Sequence, residues 1–149
     1  MSSGDSDLDR ITAEIVDAAV KLHRALGPGL LESVYAAVLT RDLERQDLAV
    51  EGQKPVSFDY DGLRFSEGFR VDLLVGSQVV VEIKSVEGLL PVHHKQLLTY
   101  LRLMNLPVGL LINFGAPTMK EGLRRIVNGF EPSGSSALRI NRETLPSGG

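Results

Sequence analysis

Residues 79–85 read VVVEIKS, and no other stretch constrains the chain as strongly. Three valines and an isoleucine have the branched side chains of a buried strand, where they pack well on a pleated surface. Glu82 and Lys84 interrupt them. On a strand, residues two apart point to one face. Glu82 and Lys84 therefore stand with Val80, while Val79, Val81 and Ile83 face the other way. Plain alternation, with one solvated polar face, accounts for this pattern as well as a functional site does.

The preceding apolar run, FRVDLLV, carries Asp72 ten residues before Glu82. Two registers are open. A loop of Gly76, Ser77 and Gln78 pairs Val75 with Val79 and sets Asp72 opposite Glu82. A two-residue Gly76-Ser77 turn sets Val81 opposite Asp72 and then requires a bulge for the carboxylates to meet. In the first register the two Cβ atoms lie about 5 Å apart, and like charges so placed repel. A hard divalent cation, which takes oxygen ligands at roughly 2.0–2.6 Å, converts that repulsion into binding. The expectation is that Asp72 and Glu82 hold Mg2+, with Mn2+ as a substitute. Such an ion lowers the pKa of a coordinated water and polarises a phosphate oxygen. Lys84 then orients the water or stabilises negative charge growing in the transition state. An Asp, a Glu and a Lys arranged across one hairpin suit metal-assisted hydrolysis of a phosphodiester.

The rest of the chain supplies a frame for that hairpin. SDLDRITAEIVDAAVKLHRALG places Leu8, Ile11, Ile15, Ala18, Leu22 and Leu26 at helical spacing, with Ser6 and Asp9 as a capping pair and Gly27-Pro28 as the stop. A second helix is expected from near Gly29 to about Gln46, with Leu31, Tyr35, Val38, Leu39 and Leu43 as its apolar stripe. KPVSFDYDGLRF alternates as a hairpin around Asp61-Gly62. HHKQLLTYLRLMN reads as a third helix, VGLLINF as a central strand, and TMKEGLRRIVN as a last helix. The order α-α-β-β-β-β-α-β-α describes an α/β chain of α+β-like arrangement, with a mixed central sheet flanked by helices. A single domain is expected over 6–128, with flexible ends at 1–5 and 129–149, the latter rich in Ser, Gly and Pro.

Composition narrows the class. A chain of 149 residues buries a core without staples, and the absence of cysteine excludes disulfides, thiolate zinc sites and cysteine nucleophiles. The polar, acidic start MSSGDSDLDR is unlike a signal peptide, and runs such as VGLLI are too short to span a bilayer. A soluble, cytoplasmic protein without a membrane partner is expected. Net charge is −3, which argues against non-specific coating of nucleic acid but leaves room for a local basic rim. Lys95, Arg102, Lys120, Arg124 and Arg125 fall in the two last expected helices and are candidates for that rim, although solvated helix faces explain them equally.

On these residues the chain resembles the PD-(D/E)xK nuclease superfamily, and within it the GxxExxY family. The naming motif stands as Gly29-Leu30-Leu31-Glu32-Ser33-Val34-Tyr35, and HRALGPGLLESVY, VDLLV, VVVEIKSVEGLLPVHHKQLLTYL and GLLINF follow the family pattern. The resemblance runs from about Ile11 to Val127 and implies a restriction-endonuclease-like core. It makes Asp72 the motif aspartate, preceded by Val71 instead of proline, and Glu82 and Lys84 the ExK pair. It also implies roles for Gln96 and Tyr100, which share a helix face at i and i+4. Gln96 would orient Lys84 or the water, Tyr100 would contact a phosphate, and Glu32 would add a metal ligand or an acceptor behind the ligands. As residues alone, Glu32 also reads as a first-turn acid favoured by the helix dipole. Gln96 and Tyr100 also read as packing residues. Tyr35, on its apolar stripe, reads as core. His93 and His94 read as loop residues and His23 as a packed helix-end histidine.

The function expected is Mg2+-dependent hydrolysis of DNA, with RNA as an open substrate and a homo-oligomer as an open assembly state. The alternative is a non-catalytic nucleic-acid-binding or assembly module on a nuclease scaffold.

Overall fold

Helix α1 (Ser3–Leu26) and helix α2 (Glu32–Arg45) lie against one face of a sheet because each carries a single apolar stripe. The computed structural model describes residues 3–129. Ile11, Ile15, Ala19 and Leu22 of α1 and Tyr35, Leu39 and Leu43 of α2 are buried against Leu73, Val75, Val79, Val81, Ile83, Leu110 and Ile112. On the opposite face α3 (Pro91–Met104) buries Leu97 and Leu101 against Val71, Leu74, Val80, Leu111 and Ile126.

The sheet runs β1 (Val50–Tyr60), β2 (Leu63–Val75), β3 (Val79–Lys84), β4 (Val108–Asn113) and β5 (Leu123–Val127), neighbours in that order. β1–β2, β2–β3 and β4–β5 are antiparallel, and β3–β4, joined across α3, is parallel. The sheet is mixed and flanked by helices, as expected. Coverage on both faces explains the unbroken apolar runs: VGLLIN is buried throughout, and VVVEIK up to Lys84. Pro55 is tolerated because β1 is an edge strand.

Two turns follow their residues closely. Asp61 and Gly62, with φ of 50° and 80°, join the paired Tyr60 and Leu63 as a tight hairpin. Gly27, with φ of 74°, ends α1 through its N–H to His23 O at 2.8 Å.

Several boundaries differ from expectation. α1 begins at Ser3, so Ser6 lies inside the helix and does not cap it. α2 starts at Glu32, because Gly29, at φ 108°, is not helical. The two strands expected on either side of Phe65–Phe69 are one long β2, which leaves three strands before α3. His93 belongs to α3 and not to a loop, since its Nδ1 accepts the Leu90 N–H at 3.0 Å and closes the first turn.

TMKEGLRRIVN is not a helix. One turn, α4 (Met119–Gly122), gives way to β5. The open edge of β4 supplies the reason: its backbone groups need partners, and the Ile126–Val127 pair suits a strand. Arg124 and Arg125 therefore sit on an edge strand and not on a helix. The expectations for residues 1–2 and for the tail from 130 onward fall outside the described residues.

Candidate active site

The turn between β2 and β3 decides where Asp72 goes. Val75 pairs with Val79, Gly76 and Ser77 both have φ of 59°, and the Gln78 N–H closes on Val75 O at 3.0 Å. The loop has three residues, so the register is the one that sets Asp72 across from Glu82.

The ladder stops there. Its last pair is Leu73 with Val81. Beyond it the strands are bridged by side chains: the Asp72 N–H donates to Glu82 Oε2 at 2.8 Å, and the Ile83 N–H donates to Asp72 Oδ2 at 2.8 Å. Each carboxylate thus commits one oxygen to the neighbouring strand, and both lie in the gap where β2 and β3 part.

Glu82 is only 5% exposed. Burial, and then the charge of Asp72, push its carboxyl up to about 7, with Glu32 adding to the rise. The Asp72 N–H and the charge of Lys84 pull the other way and do not cancel it. Lys84, half-buried, ends β3 on the same face as Glu82 and makes no ion pair among the described residues. Two acids placed together, one of them buried and each with a second oxygen not bonded to the neighbouring strand's backbone, are a donor set that fits a hard divalent cation.

Glu32 of α2 and Tyr100 of α3 approach this pair. Glu32 and Asp72 line a cleft of about 200 Å3 with Ser33, Ala36, Gln53 and Ile83. Glu32 does not complete a three-carboxylate cluster: among the described residues no three His, Cys, Asp or Glu side chains form a metal-holding group. Tyr100 stacks on Phe69 at 4.3 Å and 11°. Burial raises the pKa of its phenol, and the charges of Glu82 and Asp72 raise it further, which puts the ring within electrostatic reach of both acids. Gln96 is exposed one turn earlier and makes no hydrogen bond among the described residues.

The Gly29–Tyr35 segment is explained by its internal bonds. The Tyr35 hydroxyl donates to Gly27 O at 2.5 Å and accepts the Leu30 N–H at 3.1 Å, while its ring, fully buried, stacks on Phe114 at 4.3 Å. Ser85, next to Lys84, donates to Leu30 O at 2.7 Å. The loop before Glu32 is thereby tied both to the core and to the end of β3. Tyr35 is a core residue, as its place on the stripe implied. Tyr35→Phe is expected to cost about 1–3 kcal/mol, the loss of a buried hydroxyl that leaves a carbonyl and an amide without their partner. Urea unfolding measures it, and an unchanged midpoint would show that water replaces the hydroxyl.

His23 Nε2 lies 2.8 Å from Ala116 O and its ring stacks on Phe114, a packing role. Two residues near the site carried no obvious sequence signal. Asn113 binds Val86 and Gly115 and braces the chain after Lys84. Gln53 reaches Asp72. The glycine and proline flanking Gln53 in EGQKP were the available hint, since both disturb strands.

A mixed sheet between helices, with consecutive antiparallel strands bringing Asp72, Glu82 and Lys84 to one end, is a restriction-endonuclease-like fold. A profile described as the PD-(D/E)XK nuclease superfamily matches residues 9–126, and the chain belongs to that superfamily. Members are nucleases that typically use divalent metals on nucleic acid. A solved structure described as "Crystal structure of SSO0001" is similar at 22% identity and a TM-score of 0.47, covering 76% of this chain and 56% of that one. The chain thus spans little more than half the length of that protein. No curated protein matches it. Among the described residues no helix is long and apolar enough to cross a membrane.

Proposed function

We propose that this protein is a Mg2+-dependent nuclease of the GxxExxY type that hydrolyses DNA phosphodiester bonds. The observation that carries the reading is the paired exchange at the end of the β2–β3 ladder, where Asp72 and Glu82 each commit one oxygen to the other strand and leave the second uncommitted to either strand. A divalent cation held there, with Mn2+ as a substitute for Mg2+, supplies Lewis acidity and a more acidic water when bound.

The chain's own groups do the remainder. Asp72 and Glu82 hold the ion. Lys84 faces the scissile phosphate from the rim and stabilises the negative charge that grows on its oxygens. Gln96 supplies an amide to orient Lys84 or the attacking water, and Tyr100 contacts a phosphate from α3. Glu32, across the cleft, adds a further acceptor.

The test incubates linear and circular, single- and double-stranded DNA, with RNA in parallel, in Mg2+ or Mn2+. Asp72→Ala is expected to remove cation-dependent cleavage, a loss of about a hundredfold or more. Equal residual cleavage by wild type and variant would assign the activity to a contaminant and overturn the reading.

A second reading, a non-catalytic binding or assembly module, is favoured by one observation. The three basic residues of the β1–β2 hairpin are already paired with acids: Lys54 with Glu51, Arg64 with Asp59 and Arg70 with Glu67. DNA retention without cleavage at saturating Mn2+ would select it.

A further inference from the structure

Gln53 lies inside β1 with φ of 48°. A left-handed backbone is uncommon for a residue with a side chain, and within a strand it breaks the pleat. The β1–β2 pairing skips at this point: Gly52 pairs with Leu73 and Lys54 with Val71, but Gln53 and Asp72 do not pair. The register is the same on both sides of the gap, so no residue is inserted.

Both strands roll over together instead, and the packing records it. Val50 and Val75 pack on the α1–α2 face, whereas Val56 and Val71 pack on the α3 face. In a regular strand Val50 and Val56 would share a face, and so would Val71 and Val75. The pivots of this roll are Gln53 and the residue opposite it, Asp72. The Gln53 amide lies 3.5 Å from Asp72 Oδ1, the oxygen not used on Ile83, and lines the same cleft as Glu32. Backbone strain of this kind persists where the surrounding structure holds it, and it gathers at functional sites.

We propose that Gln53 is a positioning residue. Its left-handed backbone turns Asp72 into the gap between β2 and β3, and its amide steadies Oδ1 for a divalent cation. The proposal rests on the reading of Asp72 and Glu82 as cation ligands.

The experiment follows the melting temperature of the full chain as Mn2+ is titrated, for wild type, Asp72→Ala and Gln53→Gly. Glycine accepts a positive φ without cost, so Gln53→Gly removes the amide and keeps the backbone. It is expected to melt at or above the wild-type temperature without cation. Its Mn2+ midpoint is expected to rise roughly tenfold or more, the usual effect of losing a group that orients a metal ligand. A purely structural residue would not move that midpoint. If wild type responds to Mn2+ and Gln53→Gly has the same midpoint, the positioning role is overturned and the ligand reading stands. If wild type responds no more than Asp72→Ala, the ligand reading falls and the role of Gln53 with it.

Discussion

Lys84→Ala is expected to lower cation-dependent cleavage by about two to three orders of magnitude, the scale of losing one group aimed at developing negative charge. The fold should not notice. The backbone on both sides of Lys84 is held without its side chain: Lys84 pairs with Asn113, and Lys84 O accepts the Phe114 N–H at 2.9 Å. Asn113 then accepts the Val86 N–H at 3.0 Å and donates to Val86 O at 2.9 Å. The ammonium is also a positive neighbour of Glu82, so removing it does not weaken the attraction for a cation. Lys84→Ala should therefore bind Mn2+ at least as tightly as wild type once Glu82 is ionised, with only a slightly lower melting temperature in its absence. Cleavage rates at saturating Mn2+, set beside the thermal titration, separate this variant from Asp72→Ala, which should lose both. A Lys84→Ala rate within tenfold of wild type would remove Lys84 from the chemistry.

Glu82→Gln is expected to stabilise the cation-free protein at pH 8 while removing its response to Mn2+. The glutamine oxygen still accepts the Asp72 N–H, but no charge is buried beside Asp72. The sign follows from the direction of the shift. Burial raises the Glu82 pKa from 4.5 to about 7, so the protonated form favours the native state. That contribution is complete below 4.5 and is lost as pH rises through about 7. Such a rise, at about 1.36 kcal/mol for each pH unit, amounts to a few kcal/mol. The variant and the wild type should thus melt together near pH 4 and diverge by roughly 10 °C at pH 8. Saturating Mn2+ should close the gap by raising the wild type alone. Thermal melts across this pH range, with and without Mn2+, measure both effects. A less stable Glu82→Gln variant at pH 8 without cation would mean that the ionised carboxylate is already satisfied by the Asp72 N–H and Lys84.

Local pattern made much of this legible. The apolar stripes of the helices containing Ile15, Leu39 and Leu97, the Asp61-Gly62 hairpin and the buried run at 108–113 all lie where short-range periodicity or turn chemistry put them. The last segment misled because Lys120 to Arg125 has helix-forming residues, and only the bare edge of β4 selects a strand. Tyr100 stands four residues after Gln96, as the resemblance implies, but its place beside Phe69, thirty-one residues earlier on β2, is a matter of packing.

The order of residues by itself put Glu82 and Lys84 on one face of a strand, because side chains on a strand alternate, and left two registers for Asp72. The tertiary structure chose between them and added what no local rule contains. The three-residue turn set the two acids across from each other, the layers of helix on both faces took Glu82 out of water, and the roll at Gln53 turned Asp72 into the gap. Those outcomes depend on desolvation and on strand pairing between distant segments, which exist only once the sheet is assembled.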